Sequence, residues 1–178
     1  MRTLKTLKWR SAVIYIAAAM LTIALQSCST IRNFSEGVPN PMTPEQSKAQ
    51  VINAAREIVT TLALKDAAAQ FSRESCNDQA VAPFRGVVGI TYDHATTLEA
   101  SQAQIQEMTA VLKQHGWGAP GDFHTHAQAV SKQGVTAIFD VYSPVQNAGG
   151  SITIYGECRD MTTTHNALPE PIPSDQLT

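Results

Sequence analysis

Basic residues become scarce once the first ten positions are passed. The 178-residue chain has 13 Lys and Arg against 15 Asp and Glu, and Arg2, Lys5, Lys8 and Arg10 precede every acid. From residue 28 onward nine basic residues face 15 acidic ones, a formal charge of −6. No basic cluster remains there, which argues against nucleic acid as a partner and against peripheral attraction to anionic lipid. Catalytic signatures are missing too. There is no GxSxG for a nucleophile elbow and no HExxH for a metalloprotease helix. Gly116-Trp117-Gly118 and Gly149-Gly150 read as turns, not as phosphate loops. Without a CxxC, a thioredoxin-like redox role has no support. No repeat of solenoid period occurs. The expectation is a chain that is not an enzyme.

What is present begins at the N-terminus. A cationic start is followed by an apolar run from Ala12 to Leu25, too short to span a bilayer comfortably, since a spanning helix takes about 20 apolar residues. This is the plan of a secretory signal peptide. Its end, Leu25-Gln26-Ser27-Cys28, resembles the lipobox of bacterial lipoproteins. The resemblance implies that residues 1–27 are removed, and that Cys28 carries a diacylglycerol and fatty acyl chains of the palmitate type. The mature chain is then lipid-anchored to the cell membrane on its extracytoplasmic face. An uncleaved anchor helix, or an ordinary secretory signal with a chance Cys, is the plainer alternative.

Lipidation of Cys28 leaves Cys76 and Cys158 as an even pair in an oxidising compartment, which argues for a disulfide. Closing a loop of about 80 residues stabilises by roughly 4 kcal/mol in the chain-entropy model. The alternative is two buried free thiols.

Residues 28–42, with Ser29, Ser35, Gly37, Pro39 and Pro41, read as a flexible tether. Residues 43–161 are expected to form one domain. Thr43-Pro44-Glu45-Gln46 opens a helix with a capping box and Pro at N1. Its apolar stripe is Val51, Ala55, Ile58 and Leu62, and it ends near Leu64. A strand from Ala67 to Ser75 and a clearer one from Phe84 to Asp93 follow, the glycines of the second suggesting close approach of another element. Thr96 and Glu99 form a second capping box, Ile105, Met108 and Leu112 a second buried stripe, and His115-Gly116 the stop. Trp117 is expected to fold back onto the core. Three strands come next, with turns at 131–134 and 147–150. In the first, Phe123, Thr125, Ala127 and Ala129 point inward. The second runs through Val135, Ala137, Phe139 and Val141, the third through Ile152, Ile154, Gly156 and Cys158. Pro169, Pro171 and Pro173 mark residues 162–178 as a disordered tail. The order α-β-β-α-β-β-β gives an α+β two-layer sandwich, an antiparallel sheet of four to five strands with two helices on one face.

Two residues apart on a strand, His124 and His126 share a face, and such a pair chelates a metal such as zinc if Asp93, His94, Asp140 or Glu157 completes the set. The plainer reading makes both solvated residues of a polar sheet face. Tyr142, Tyr155 and Arg159 are candidates for an interaction surface, since aromatic and Arg groups are favoured at interfaces; cross-strand stabilising pairs are the plainer reading. The expected function is that of a non-enzymatic binding module, its partner an envelope protein or a small ligand. A metal-binding protein or metal-dependent hydrolase built on His124 and His126 is the alternative.

The combination of lipobox, Pro/Ser tether, Asn40-Pro41-Met42-Thr43-Pro44-Glu45 opening a helix, mid-chain Cys76 and a strand ending Gly156-Glu157-Cys158-Arg159 before a Pro-rich tail resembles the small LppA-like lipoproteins of mycobacteria. The likeness covers most of residues 25–165. It implies membrane anchoring and the pairing of Cys76 with Cys158, and carries over no catalytic residues.

Overall fold

The computed structural model describes residues 37–121, 123–143 and 150–178. The signal segment, Cys28, most of the tether, Asp122 and the turn expected at Asn147–Gly149 lie outside the described residues. Residues 37–41 form no helix or strand, and the folded unit starts at Met42. Its elements are α1 (Pro44–Thr61), β1 (Ala68–Ser75), β2 (Phe84–Thr91), α2 (Leu98–Gln114), β3 (Gln128–Lys132), β4 (Val135–Asp140), β5 (Ser151–Tyr155), β6 (Ala167–Ile172) and a 3₁₀ turn at Ser174–Gln176.

α1 begins as its sequence dictates. Gln46 N–H donates to Thr43 Oγ1 at 3.2 Å, and Thr43 N–H donates back to Gln46 Oε1 at 2.9 Å, a reciprocal capping box. The helix stops at Thr61, slightly short of Leu64, where Ala63 turns the chain at a φ of 47°. α2 is capped by Thr97 rather than Thr96, with Ala100 N–H donating to Thr97 Oγ1 at 3.2 Å. Adjacent threonines offer the same cap chemistry, and only the packed helix chooses between them.

The strands form one antiparallel sheet in the order β3-β4-β5-β2-β1-β6. Its six strands exceed the expected four to five. The extra one, β6, comes from the segment expected to be a disordered tail. β6 pairs with β1, buries Ile172, and hands on to Leu177, which is 2% exposed. Arg56 Nε also donates to the Gln176 carbonyl at 2.8 Å, and Lys48 pairs with Glu170. Proline is tolerated here because β6 is an edge strand, where an outward position needs no ladder N–H. The same prolines blunt the edge against pairing with another chain.

One face of the sheet carries Phe71, Val88, Ile90, Val130, Ala137, Phe139, Ile152 and Ile154, all buried under the helices. Val51, Ala55 and Ile58 of α1 and Ile105, Met108 and Leu112 of α2 complete the core. α1 lies close on β2. Gly86 N–H donates to buried Ser47 Oγ at 2.9 Å, and a Cβ at Gly86 would meet the Ser47 carbonyl oxygen at 2.7 Å. The close approach expected of the β2 glycines is therefore made at Gly86, whereas Gly89 faces open space. Trp117 is 3% exposed; its Nε1 donates to Glu57 Oε1 at 3.1 Å, which Lys132 Nζ also reaches at 2.6 Å.

The inward phase of β3 is the reverse of the one expected. Val130 pairs with Ala137 and Gln128 with Phe139, so the even-numbered residues face the helices. Ser131 and Lys132 belong to the strand, and the turn is Gln133-Gly134, both at positive φ (51° and 79°), as a two-residue hairpin requires. In residues 123–129 only Phe123 is a large apolar group, so the Thr and Ala alternation carried too little burial energy to set register.

Cys76 and Cys158 are bonded, with Cα atoms 6.0 Å apart and a sequence separation of 82. Next to the bridge, Asp160 is only 1% exposed. Its backbone joins β2, with Phe84 N–H donating to Asp160 O at 2.7 Å and Asp160 N–H donating to Phe84 O at 3.1 Å. The carboxylate accepts from Thr162 N–H at 2.9 Å, Thr163 N–H at 3.0 Å and both threonine hydroxyls. Burial by itself pushes the Asp160 carboxyl up; the Thr163 hydroxyl and the remaining donors outweigh it, and the group titrates below the ordinary aspartate range. A lowered folded pKa means that its stabilisation is present above the unfolded value of about 3.9 and is lost as pH falls through the folded pKa. Asp160→Ala should cost about 3 kcal/mol at pH 7, because it removes a charged acceptor that takes four hydrogen bonds from Thr162 and Thr163. Its deficit should shrink in urea unfolding curves taken below pH 4; a deficit independent of pH would contradict the assignment.

Candidate functional site

The face away from the helices is exposed at Ala68, Gln70, Gly89 and Thr91, half-buried along β3, β4 and β5, and buried at Val87 and Thr136. Register places its residues in three rows across the strands: Ser131, Thr136, Tyr155, Val87 and Ser72; then Ala129, Ile138, Thr153, Gly89 and Gln70; then Asp140, Ser151, Thr91 and Ala68. Gly89 leaves the middle row with bare backbone, since nothing lies within 4 Å of where its Cβ would be. Glu74 and Arg85 stand opposite each other one step beyond the first row.

Three side chains converge at that end. The Arg85 guanidinium lies 4.4 Å from the Tyr155 ring centre and 5.7 Å from that of Phe123. Phe123 and Tyr155 are 5.3 Å apart, their planes tilted by 34°. Glu74 Oε2 lies 3.7 Å from Arg85 Nη2. Phe123 comes from the α2–β3 connection, whose stem is closed by Gly118 N–H donating to Ser131 O at 2.8 Å and by Phe123 N–H donating to Pro120 O at 3.2 Å. Beneath this group Val87, on the open face, is only 5% exposed. Burial first, then the Glu74 carboxylate, push the Tyr155 phenol above its ordinary range against the opposing pull of Arg85. Arg85 Nε is buried and has no hydrogen-bond partner among the described residues.

The residues singled out from sequence are dispersed. His124 and His126 sit exposed on the connection before β3, not side by side on a strand. The pairing of β3 begins at Gln128, so the shared strand face expected of them does not form. Among the described residues no group of three or more His, Cys, Asp or Glu is placed to hold a metal ion. His94 packs on Gly150 and lies 5.4 Å from the Tyr142 ring, while Glu157 turns toward α1, where Gln50 Nε2 donates to it at 2.8 Å. Tyr142 is 9% exposed, with its N–H donating to buried Ser101 Oγ at 2.9 Å. It lies beyond the end of β4, whereas Tyr155 is opposite Thr136 at the start of β4. Six residues of strand, roughly 20 Å, separate the two. Arg159 bonds Glu157 at 3.1 Å, away from Arg85. Only Tyr155 of the expected trio belongs to the cluster. Arg85 and Phe123 were not singled out. The signal available for Arg85 is its place in Phe84–Thr91, between the inward Phe84 and Gly86; the alternation expected from Phe123 to Ala129 turns Phe123 inward instead.

Among the described residues no helix is long and apolar enough to cross a membrane. The fold and its open face define a small α+β domain with a disulfide clamp and an arginine–aromatic cluster. The chain belongs to the LppJ lipoprotein family: residues 43–173 match the family model described as "Putative lipoprotein LppJ". Proteins of that name from Mycobacterium tuberculosis (strain H37Rv) and Mycobacterium bovis are each 33% identical over 133 residues, 71% of this chain and 66% of the relative. The match thus spans just under two thirds of the length of these curated relatives. No solved structure matches the chain. The resemblance to mycobacterial lipoproteins is a family relationship.

Proposed function

We propose that the protein is a lipid-anchored, extracytoplasmic component of the cell envelope that works without catalysis, by binding through its open sheet face. The observation carrying this is the Arg85–Tyr155–Phe123 cluster beside exposed Gln70 and Gly89 and half-buried Thr153. Rigid aromatic rings and a guanidinium on a rigid sheet supply contact area at small entropic cost, which is why such groups dominate interface energetics. The lipobox and the family's name support the anchor. The partner is an envelope protein or a small ligand.

A photoreactive side chain at Thr153 in the full-length protein, irradiated in cells, tests this. A discrete adduct is expected from Thr153 and from Gln70 but not from exposed Glu107 on α2, and Arg85→Ala should lower its yield about tenfold, the scale of a hot-spot truncation. If neither open-face position yields an adduct, the surface has no such role.

A further inference from the structure

We infer that Arg85 and Tyr155 form a seat for an aromatic side chain of a polypeptide partner, and that Phe123 is this chain's own occupant of it. The inference rests on the reading of the open face as the binding surface. The seat is built independently of its occupant. Arg85 is fixed on β2 opposite Glu74, and Tyr155 is fixed on β5 opposite Val87 and Thr136. The occupant comes from residues outside any strand, on a connection held at its stem by Gly118 and Pro120. Gly121 in that stem has a φ of 59°, a left-handed conformation that glycine adopts freely. What Phe123 demonstrates is the chemistry of the seat: a ring tilted against a phenol, with a guanidinium beside both. Such geometry favours an aromatic ring over an aliphatic group of similar size, because the guanidinium is drawn to ring quadrupoles.

Arg85 Nε adds the second observation. This donor is buried and has no partner among the described residues. A buried donor left without an acceptor is costly, and the backbone carbonyl next to an incoming aromatic residue would satisfy it. A ring with a carbonyl alongside is what an extended peptide presents, which favours a polypeptide over a lipid or a glycan. An internal occupant also lowers apparent affinity, since only the fraction of molecules with an open seat can bind.

The test is a titration of the disulfide-bonded protein without its lipid, residues 29–178, with N-acetylphenylalaninamide, followed by NMR at the Arg85 Nε–H and the Tyr155 ring. Phe123→Ala should bind at least tenfold more tightly than the unsubstituted protein, with shifts confined to Arg85, Val87 and Tyr155. Adding Arg85→Ala should abolish them, and N-acetylleucinamide should not elicit them. Equal affinity of Phe123→Ala and the unsubstituted protein would overturn the inference. So would equal binding of the leucine amide, or a response to methyl glucoside without one to the phenylalanine amide. If Phe123→Ala does not fold, Phe123→Leu, which keeps a cover over Val87 but withdraws the ring, carries the same expectations. A crosslink from Thr153 that persists alongside a failed titration would retain the open face and remove only the seat.

Discussion

Replacing Cys76 and Cys158 together by serine should lower stability by about 4 kcal/mol and the unfolding temperature by roughly 15 °C. The size follows from what the bridge encloses. It ties the end of β1 to the segment after β5, and the 82-residue separation contains β2, α2, β3, β4 and β5. In the unfolded chain such a closure removes a large share of the accessible conformations. In the folded chain its position adds to this. β2 lies between β5 and β1, and Phe84, where β2 begins, is bonded to Asp160 two residues past Cys158. The bridge therefore spans the point where the central strand enters the sheet. Thermal unfolding followed by circular dichroism, with and without reductant, measures the effect. Reductant should bring the unsubstituted protein down to the double variant and leave the variant unmoved. A variant within about 1 kcal/mol of the parent would mean that the hydrogen bonds around Asp160 hold the strand ends without the bridge.

The second large effect concerns Cys28. Cys28→Ala should abolish incorporation of a palmitate analogue and block cleavage after Ser27, so the product keeps residues 1–27 and lacks the mass of the lipid. Each buried CH₂ contributes about 0.8 kcal/mol. Two acyl chains of some sixteen carbons on Cys28 would therefore hold the protein with on the order of 20 kcal/mol, beyond the reach of any surface electrostatics for a chain with a formal charge of −6 after residue 27. Metabolic labelling and intact-mass measurement of both proteins decide the matter. Label retained on Cys28→Ala, or an unchanged mass, would place the lipid elsewhere or remove it from the account.

Features that depend on neighbours a few residues away were legible in the sequence. The Thr43–Gln46 capping box forms with both of its bonds, and Trp117 returns to the core. β2 keeps the alternation that puts Phe84, Val88 and Ile90 inside. Apolar periodicity that strong leaves one low-energy face, so register follows from composition. Residues 123–127 lack that contrast, and where the alternation predicts strand the chain runs as a connection that brings Phe123 against Arg85 and Tyr155. His124 and His126 lost their shared face for the same reason. β6 was missed because three prolines within five residues resemble disorder when read alone; what makes them a strand is the free edge of β1 and the apolar seats for Ile172 and Leu177.

By itself, then, the sequence determined the α+β class, both helices, and the two cysteines beyond Cys28 that suit a bridge. Each rests on spacing along the chain or on a count, and none needs a tertiary partner to be read. Tertiary structure alone decided which way Phe123 turns, which of the outward tyrosines meets an arginine, and how the tail closes the sheet. Those outcomes depend on strand register and on pairs distant in sequence, such as Phe123 with Arg85 and Ala69 with Ile172. The energy that selects them comes from burial across the whole sheet, not from any local run of residues.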